Sequence, residues 1–450
     1  MVNYGNAAGL LNPSGDTTGA TDTARIQTAV ASGVELAEGT FYTNATITLD
    51  TSNVLRGVGA NGTIISAASG FTGSSMIALT TPATSAQVQI ENVTLIPNTG
   101  TVGGVYLDNT GFSPAIFDSR HILRNVFVKQ AAGDSFRFSN NIRGMSAINC
   151  QSYWSEGYGF KIDTGTTDNQ FTNCVSGQSK NHGFYVNDSN NLFTGCRSFW
   201  AGYDHNAASW GTTQCGFEIT SAVSYTSFVS CLAQQAALHG FDLQGCTHVT
   251  VTGCESDSNS SGVSTGVGVN TNGAQNCMIT GVTGALNGGL SPAAQKYGIQ
   301  VAGTQTNTMF WGNTVTGSSG QFNYVSGSGY TSVNPSTADL SNVATLKLGA
   351  PTFGNQGAPQ SLSNGNTITV QTYYGIYPVT NSGNVTGIIL SAPADTWAMV
   401  TIINEGTGTV AFAASGTSHV ADGAATPIAV NGARTLVYDA NTSLWYRVSL

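Results

Sequence analysis

A short phrase ending in a thiol returns along this chain at nearly constant intervals. "NQFTNC" closes on Cys174, "NLFTGC" on Cys196, "SFVSC" on Cys231 and "VTVTGC" on Cys254, with Cys150 ahead of them. The intervals are 24, 22, 35 and 23 positions, so a step near 23 is broken once, by about a dozen residues. A second phrase travels with the first: glycine, apolar, any residue, apolar. It reads "GVYL" from Gly104, "GFKI" from Gly159, "GFYV" from Gly183, "GFEI" from Gly216, "GFDL" from Gly240, "GVGV" from Gly266 and "GIQV" from Gly298, and "SFRF" from Ser135 fills a gap without the glycine. Valine takes the thiol's place at Val93, Val126 and Val282. The repeat therefore constrains shape and not sulfur.

Period-2 alternation in both phrases reads as short strands, at least two per repeat, separated by Gly, Asn, Ser and Thr turns. Repeats of this length, with inward apolar positions stacking turn on turn, fold as a parallel β-solenoid. The thiols and valines then form an internal column, as small apolar fillers of a narrow core. No CxxC or CxxH pair supports a zinc site. Disulfides between neighbouring turns stay open, and Cys215, Cys246 and Cys277 fall outside the column without an assigned role. The start, "MVNYGNAAGLLNPSGD", has neither a basic nor an apolar signal region, so folding in a reducing cytoplasm is expected.

Only 8% of residues are charged, which leaves hydroxyls and amides to form the surface. A net charge of −9 without a basic patch argues against nucleic acid and anionic membranes. No apolar run is long enough to span a bilayer. Four segments follow. Residues 1–33 hold "GDTTGATDTARIQTAVASG", a helix with Thr21 or Asp22 as N-cap and Gly33 as stop, placed to cover the open end of the solenoid. Residues 34–330 hold the repeats, with "AGYDHNAASWGTTQ" (201–214) as the longest insertion. A Gly-, Ser- and Pro-rich connector spans 331–365. Strand-like runs over 366–450 read as a β-sandwich or jelly roll.

"GDTTGATDTARIQTAVASG", "VELAEGTFY" and "SNVLRGVGANGTII" together resemble the N-terminal signature of the pectate-lyase-like β-helix superfamily, in particular bacteriophage tailspikes and capsule depolymerases. The resemblance is specific over about 12–66 and general over the repeats. It implies an all-β right-handed parallel β-helix, assembled as a homotrimer, whose C-terminal domain aids trimerisation or binds sugar. It further implies a virion (phage tail) protein that binds and cleaves a bacterial surface polysaccharide, by glycoside hydrolysis or by lyase elimination. Two departures stand out: no cluster of acidic residues of the pectate-lyase calcium kind, and no long N-terminal virion-anchoring domain. Pectate is thereby disfavoured, and attachment would need an adaptor or baseplate protein or the first dozen residues. No cofactor and no metal are called for.

Chemistry has to come from outward positions. The third residue of each glycine-led phrase points out, giving the column Tyr106, Arg137, Lys161, Tyr185, Glu218, Asp242, Gly268, Gln300. Glu218 and Asp242 are expected one strand spacing apart, close enough for one to hold a proton while the other stays ionised, as glycoside hydrolysis requires. Both could equally decorate a solvated face. A second column, two residues further on, runs Asp108, Ser139, Asp163, Asn187, Thr220, Gln244, Asn270 and offers Asp163 as a reserve acid. Asp204, in the insertion, could pair with Glu218 instead.

Aromatic residues supply the binding half. "SYWSEGY" and "SFWAGYDH" stand at one offset after Cys150 and Cys196, so Tyr153, Trp154, Phe199 and Trp200 can cluster on one side, although some of these rings belong to the core. Tyr203, His205 and Trp210 lie in the insertion, where loops on a rigid scaffold often carry function. His182 and His239 each precede a "GF" phrase and are expected at satisfied turns. A lyase would need a base among Lys161, Arg137, Tyr185 and His205, with Arg137 and Lys161 neutralising a uronate. A non-catalytic adhesin or fibre is the third reading.

Overall fold

The computed structural model describes residues 9–50, 53–79, 87–97, 100, 102–110, 120–284, 295–315, 317–319, 322–333, 346–347, 352–355, 359–370, 374–392, 397–413, 420–421, 427–439 and 441–448. The chain divides into two compact units, Met1–Tyr330 and Thr331–Leu450.

The first unit is a parallel β-helix whose turns carry three short strands, one more than the two phrases announce. The glycine-led strands stack as a first sheet, in which Phe160–Ile162 lies between Phe136–Ser139 and Phe184–Val186, followed by Phe217–Ile219 and Phe241–Leu243. The strands that precede each thiol form a second sheet, Gln170–Thr172 on Leu192–Thr194 on Ser227–Val229. Those that follow it form a third, Gln151–Ser155 on Val175–Ser179 on Arg197–Phe199.

Each element of the repeated phrase has a physical reason. The residue before the thiol turns the corner in the left-handed region: Asn149, Asn173 and Ser230 have φ of 54°, 52° and 52°, and Gly195 and Gly253 have 63° and 58°. Asn and glycine tolerate that conformation best, which explains "TNC" and "TGC". The thiols turn inward, all eight cysteines are buried and free, and Cys174, Cys196, Cys231 and Cys254 each donate weakly to a carbonyl one turn back, at 3.3–3.5 Å. Cys246 and Cys277, unassigned from sequence, stack as a separate buried pair with sulfurs 3.8 Å apart. The leading glycine faces a buried serine of the third sheet: a Cβ on Gly159 or Gly183 would run into the hydroxyl of Ser176 or Ser198. Where the phrase opens on Ser135 instead, that hydroxyl accepts a bond from Ser152 (2.7 Å).

The phenylalanines of the two phrases make two ladders. Phe136, Phe160, Phe184, Phe217 and Phe241 stack at 4.6–4.7 Å, and Phe171, Phe193 and Phe228 at 4.7–4.8 Å. Each buried ring contributes roughly 1.5–3 kcal/mol, and each stacked pair about 0.5–1.5 kcal/mol more. The 35-residue interval holds a hairpin in which Tyr203–Asp204 pairs antiparallel with Ser209–Trp210.

The N-terminal helix spans Ala20–Ser32 and stops at Gly33 (φ 70°) as expected, but its N-cap is Gly19, not Thr21 or Asp22. Asp16 takes the cap's place by accepting the Thr21 N–H (2.9 Å). Asp22 is buried and accepts the N–H groups of Ser14 (3.0 Å) and Tyr42 (3.2 Å), tying the helix to the first strand. Among the described residues no helix is long and apolar enough to cross a membrane.

The second unit closes two sheets over a core that includes Ile388, Val400, Leu436 and Trp445. Several of its pairings are parallel, Thr367 with Ile389, Tyr374 with Met399 and Val385 with Val410, in steps of 22 and 25 positions like those of the β-helix. The strands Trp397–Asn404, Ala433–Asp439 and Leu444–Arg447 then run antiparallel.

Candidate functional site

The outward column of the first sheet is in register as read, Tyr106 beside Arg137, then Lys161, Tyr185, Glu218 and Asp242. Beyond Asp242 the register differs by two: Asn270 and not Gly268 is the neighbour of Asp242, and Gln300 follows. The phrase "GVGV" contains two glycines, and the strand uses the second. A slip of two leaves the inward and outward faces unchanged, so alternation alone does not detect it.

That slip changes the environment of Asp242. Asn270 donates to its Oδ1 (2.8 Å) and Gln244 to its Oδ2 (2.7 Å), and the residue is left 1% exposed. Glu218, directly opposite, keeps 16% of its side chain exposed. Burial first, and then the adjacent charge of Asp242, push the Glu218 carboxyl up to about 8, so it holds its proton at neutral pH.

The residue before each leading glycine forms a further column that sequence reading treated only piecemeal: Tyr158, His182, Cys215, His239. The Cys215 N–H donates to His182 Nδ1 (3.0 Å), and the Val267 N–H donates to His239 Nδ1 (3.1 Å). Burial lowers His182 to about 4, and His239 is lowered for the same reason. Both rings are neutral acceptors at satisfied turns. His182, Cys215 and Glu218 bring three potential ligand atoms within 4.8 Å of one another. The His182 nitrogen nearest Glu218 (3.8 Å) is however the one already committed to the Cys215 amide. Burial also raises the Cys215 thiol well above its ordinary range. The cluster thus reads as a hydrogen-bonded group and not as a ligand set.

Further down the same face the cations are spent. Arg137 Nε donates to Asp163 Oδ2 (2.9 Å) and Lys161 Nζ lies 3.4 Å from Asp163 Oδ1. Arg137 also covers the Tyr106 ring and Lys161 the Tyr158 ring, at 5.0 and 5.3 Å. Tyr158 packs on His182 and Tyr185 at 5.8 and 5.2 Å. Burial, then the charges of Asp163 and Glu218, raise Tyr185, which sits on the turn between them. A cleft of about 240 Å³ opens beside Tyr106, Asp134 and Arg137.

The aromatic residues separate into three groups. Tyr153 and Phe199 pack on one another at 5.8 Å across Gly177, where a Cβ would strike both rings. Trp200, Tyr203 and Trp210 form a cluster at 5.1–6.2 Å, and Trp200 Nε1 donates to Gln235 Oε1 (2.7 Å). Trp154 stacks on His205 at 5.0 Å. Asp204 keeps company with Lys180 (2.8 Å), which also holds Glu156 (3.0 Å), and the Lys180 bond first of all lowers the Asp204 carboxyl. An Asp204–Glu218 pair has no support in these contacts.

Residues 134–338 match the family model described as "Right handed beta helix region". No curated protein matches the chain. Among solved structures, tailspike protein 2 from Escherichia coli O157:H7 bacteriophage CAB120 is similar at a TM-score of 0.47 and 14% identity, covering 69% of this chain and 40% of its own. The Azotobacter vinelandii mannuronan C-5 epimerase AlgE6 A-module gives 0.44 and 17%, over 70% and 95% of the two chains. The catalytic domain of a GH87 alpha-1,3-glucanase in complex with nigerose gives 0.42 and 12%, over 73% and 70%. The present chain thus spans less than half the length of that tailspike.

Proposed function

We propose that this right-handed β-helix binds a bacterial surface polysaccharide along its first sheet and hydrolyses it, as part of a phage tailspike. The observation that carries the reading is the in-register opposition of Glu218 and Asp242. Glu218 is the general acid: it holds a proton near neutrality and keeps part of its side chain exposed. Asp242 is closed off by two amides and acts as a positioning residue, keeping the proton on Glu218 rather than attacking the sugar. Asp163, the reserve acid, is held on both carboxylate oxygens by Arg137 and Lys161 and is given no part in activating water. It lies two strand steps and two positions along the strand from Glu218, about 12 Å between backbones, beyond the ~6.5–9.5 Å of an inverting pair.

Elimination is less well supported. Arg137 and Lys161 are paired with Asp163 and not free to neutralise a uronate, His182 has no lone pair left over, and Tyr158 and Tyr185 hold their protons. The test is a panel of capsular and O-antigen polysaccharides, following reducing ends together with the ultraviolet absorbance of unsaturated product. Reducing ends should appear without absorbance, and Glu218→Gln should lower the rate by about 10²–10⁴-fold while glycan binding persists. Full turnover in that variant would remove the assignment, and absorbance from the parent protein would replace hydrolysis by elimination.

A further inference from the structure

One corner of the β-helix carries a feature the proposed reaction does not use. Where the third sheet turns back toward the first, six successive turns place one residue in the left-handed region. Gln130, Gln178, Gln235 and Ser258 occupy it with φ of 52–59°, and the remaining two turns carry Trp154 (φ 61°) and Trp200 (φ 59°). A bulky aromatic at positive φ costs of order 1–3 kcal/mol, and such strain is retained where the side chain has a use.

For Trp200 the use is structural, since its N–H is bonded to Gln235 and its ring is packed by Tyr203 and Trp210. Trp154 differs. It is 38% exposed, the one ring it stacks on among the described residues is His205, and its N–H finds no acceptor among them. It lines a cleft of about 330 Å³ with Glu156, His205, Asn206 and the small side chains of Ala131 and Ala132.

The hairpin that forms the other wall is fastened in place. Asp204 is paired with Lys180, Asn206 donates to Glu156, and the Gly211 N–H donates to the Gly202 carbonyl (2.7 Å). The cleft is therefore formed before any ligand arrives, which lowers the ordering cost of binding.

We infer that this cleft, between Trp154 and the hairpin of Tyr203–Asp204 and Ser209–Trp210, is a second saccharide site that takes an uncharged pyranose and rejects a uronate. A pyranose has an apolar C–H face to lie on the indole and a rim of hydroxyls for Glu156, Asn206 and the Trp154 N–H. An apolar peptide side chain would find one ring and two methyl groups in an otherwise polar rim. The charges decide between sugars: Glu156 and Asp204 outnumber Lys180, so a carboxylate entering the cleft meets net repulsion. The site needs no cleavage chemistry and shares with the proposed function only the premise that the ligand is a glycan.

The experiment is a tryptophan-emission titration of the full chain carrying Glu218→Gln, so that turnover plays no part. The probes are glucose, galactose and N-acetylglucosamine against glucuronate and galacturonate. At least one neutral sugar should give a saturable change, with uronates at least about tenfold weaker. Trp154→Gln, which installs the residue other turns carry at this corner, should abolish binding, followed by calorimetry because the reporting indole is gone, without lowering the melting temperature. The site is refuted if no neutral pyranose gives a saturable change, if uronates bind as well, or if Trp154→Gln binds like its parent. A failure of the polysaccharide cleavage assay would leave this titration unaffected, so the two readings fall separately.

Discussion

Two stacks run along the same β-helix under the same one-turn register, and they obey opposite electrostatics. Inside, Cys150, Cys174, Cys196, Cys231 and Cys254 lie one above the other, fully buried, each a thiol whose weak donor meets a backbone carbonyl. Outside, the first sheet places Glu218 against Asp242, and burial, with the like charge of Asp242 second, makes Glu218 keep a proton. A solenoid thus repeats thiols without penalty, whereas a second carboxylate beside a desolvated one strengthens its hold on a proton. Substitutions that exchange the two situations should have unequal effects.

The largest effect is expected from moving the outer chemistry inward. Cys174→Asp would bury a carboxylate in a column whose burial already holds the Cys174 thiol well above its ordinary range. An unpaired buried charge costs several kcal/mol or more, so the variant should fail to give a folded rod by circular dichroism. Cys174→Val is the control, because Val93, Val126 and Val282 fill the same slot. It should cost about 1 kcal/mol or less by denaturant titration. A folded Cys174→Asp protein would show that the column is less dry than its burial implies.

The second effect concerns Glu218 and pH. Its carboxyl is raised in the folded chain to about 8 from the ordinary value of 4.5. A raised value means that the folded state binds the proton more tightly, so the contribution is fully present below about 4.5 and is lost as pH rises through about 8. Glu218→Gln cannot ionise. It should match the parent protein near pH 4 and become progressively more stable above that, levelling off beyond pH 8 at a difference on the order of a few kcal/mol. Parallel melting curves across that range would show that Glu218 is not desolvated as the structure has it.

How much of this was legible in the sequence follows from the same contrast. The stacking of Cys174 on Cys196 and the opposition of Glu218 to Asp242 both follow from counting, because a parallel register transmits position from turn to turn. The third strand was not announced, since it carries buried serines such as Ser176 and Ser198 in place of large apolar residues. The sealing of Asp242 by Asn270 was hidden by a two-residue slip at "GVGV" that alternation cannot see. The ion pairs that occupy Arg137, Lys161 and Asp204 are side-chain choices between neighbouring turns, on which strand pattern is silent.

The corners offer a smaller test. Asn173 sits at φ 52° immediately before the thiol. Asn173→Ala should destabilise by about 1–2 kcal/mol and Asn173→Gly by less, measured by denaturant midpoint. Equal losses would point to the Asn173 side chain, against which a Cβ on Gly195 would press, and not to its backbone.

The smallest effect separates the two causes that act on Glu218. Burial is the larger and the charge of Asp242 the second. Asp242→Asn removes the charge while keeping the shape, so the basic limb of the pH–rate profile for polysaccharide cleavage should move down by about one unit or less and stop well above the ordinary carboxyl range. A limb that falls all the way to that range would make the neighbouring charge the main cause and burial the lesser. A limb that does not move would mean that the register brings the two residues side by side without coupling them, and the outer stack would then be as electrically indifferent as the inner one.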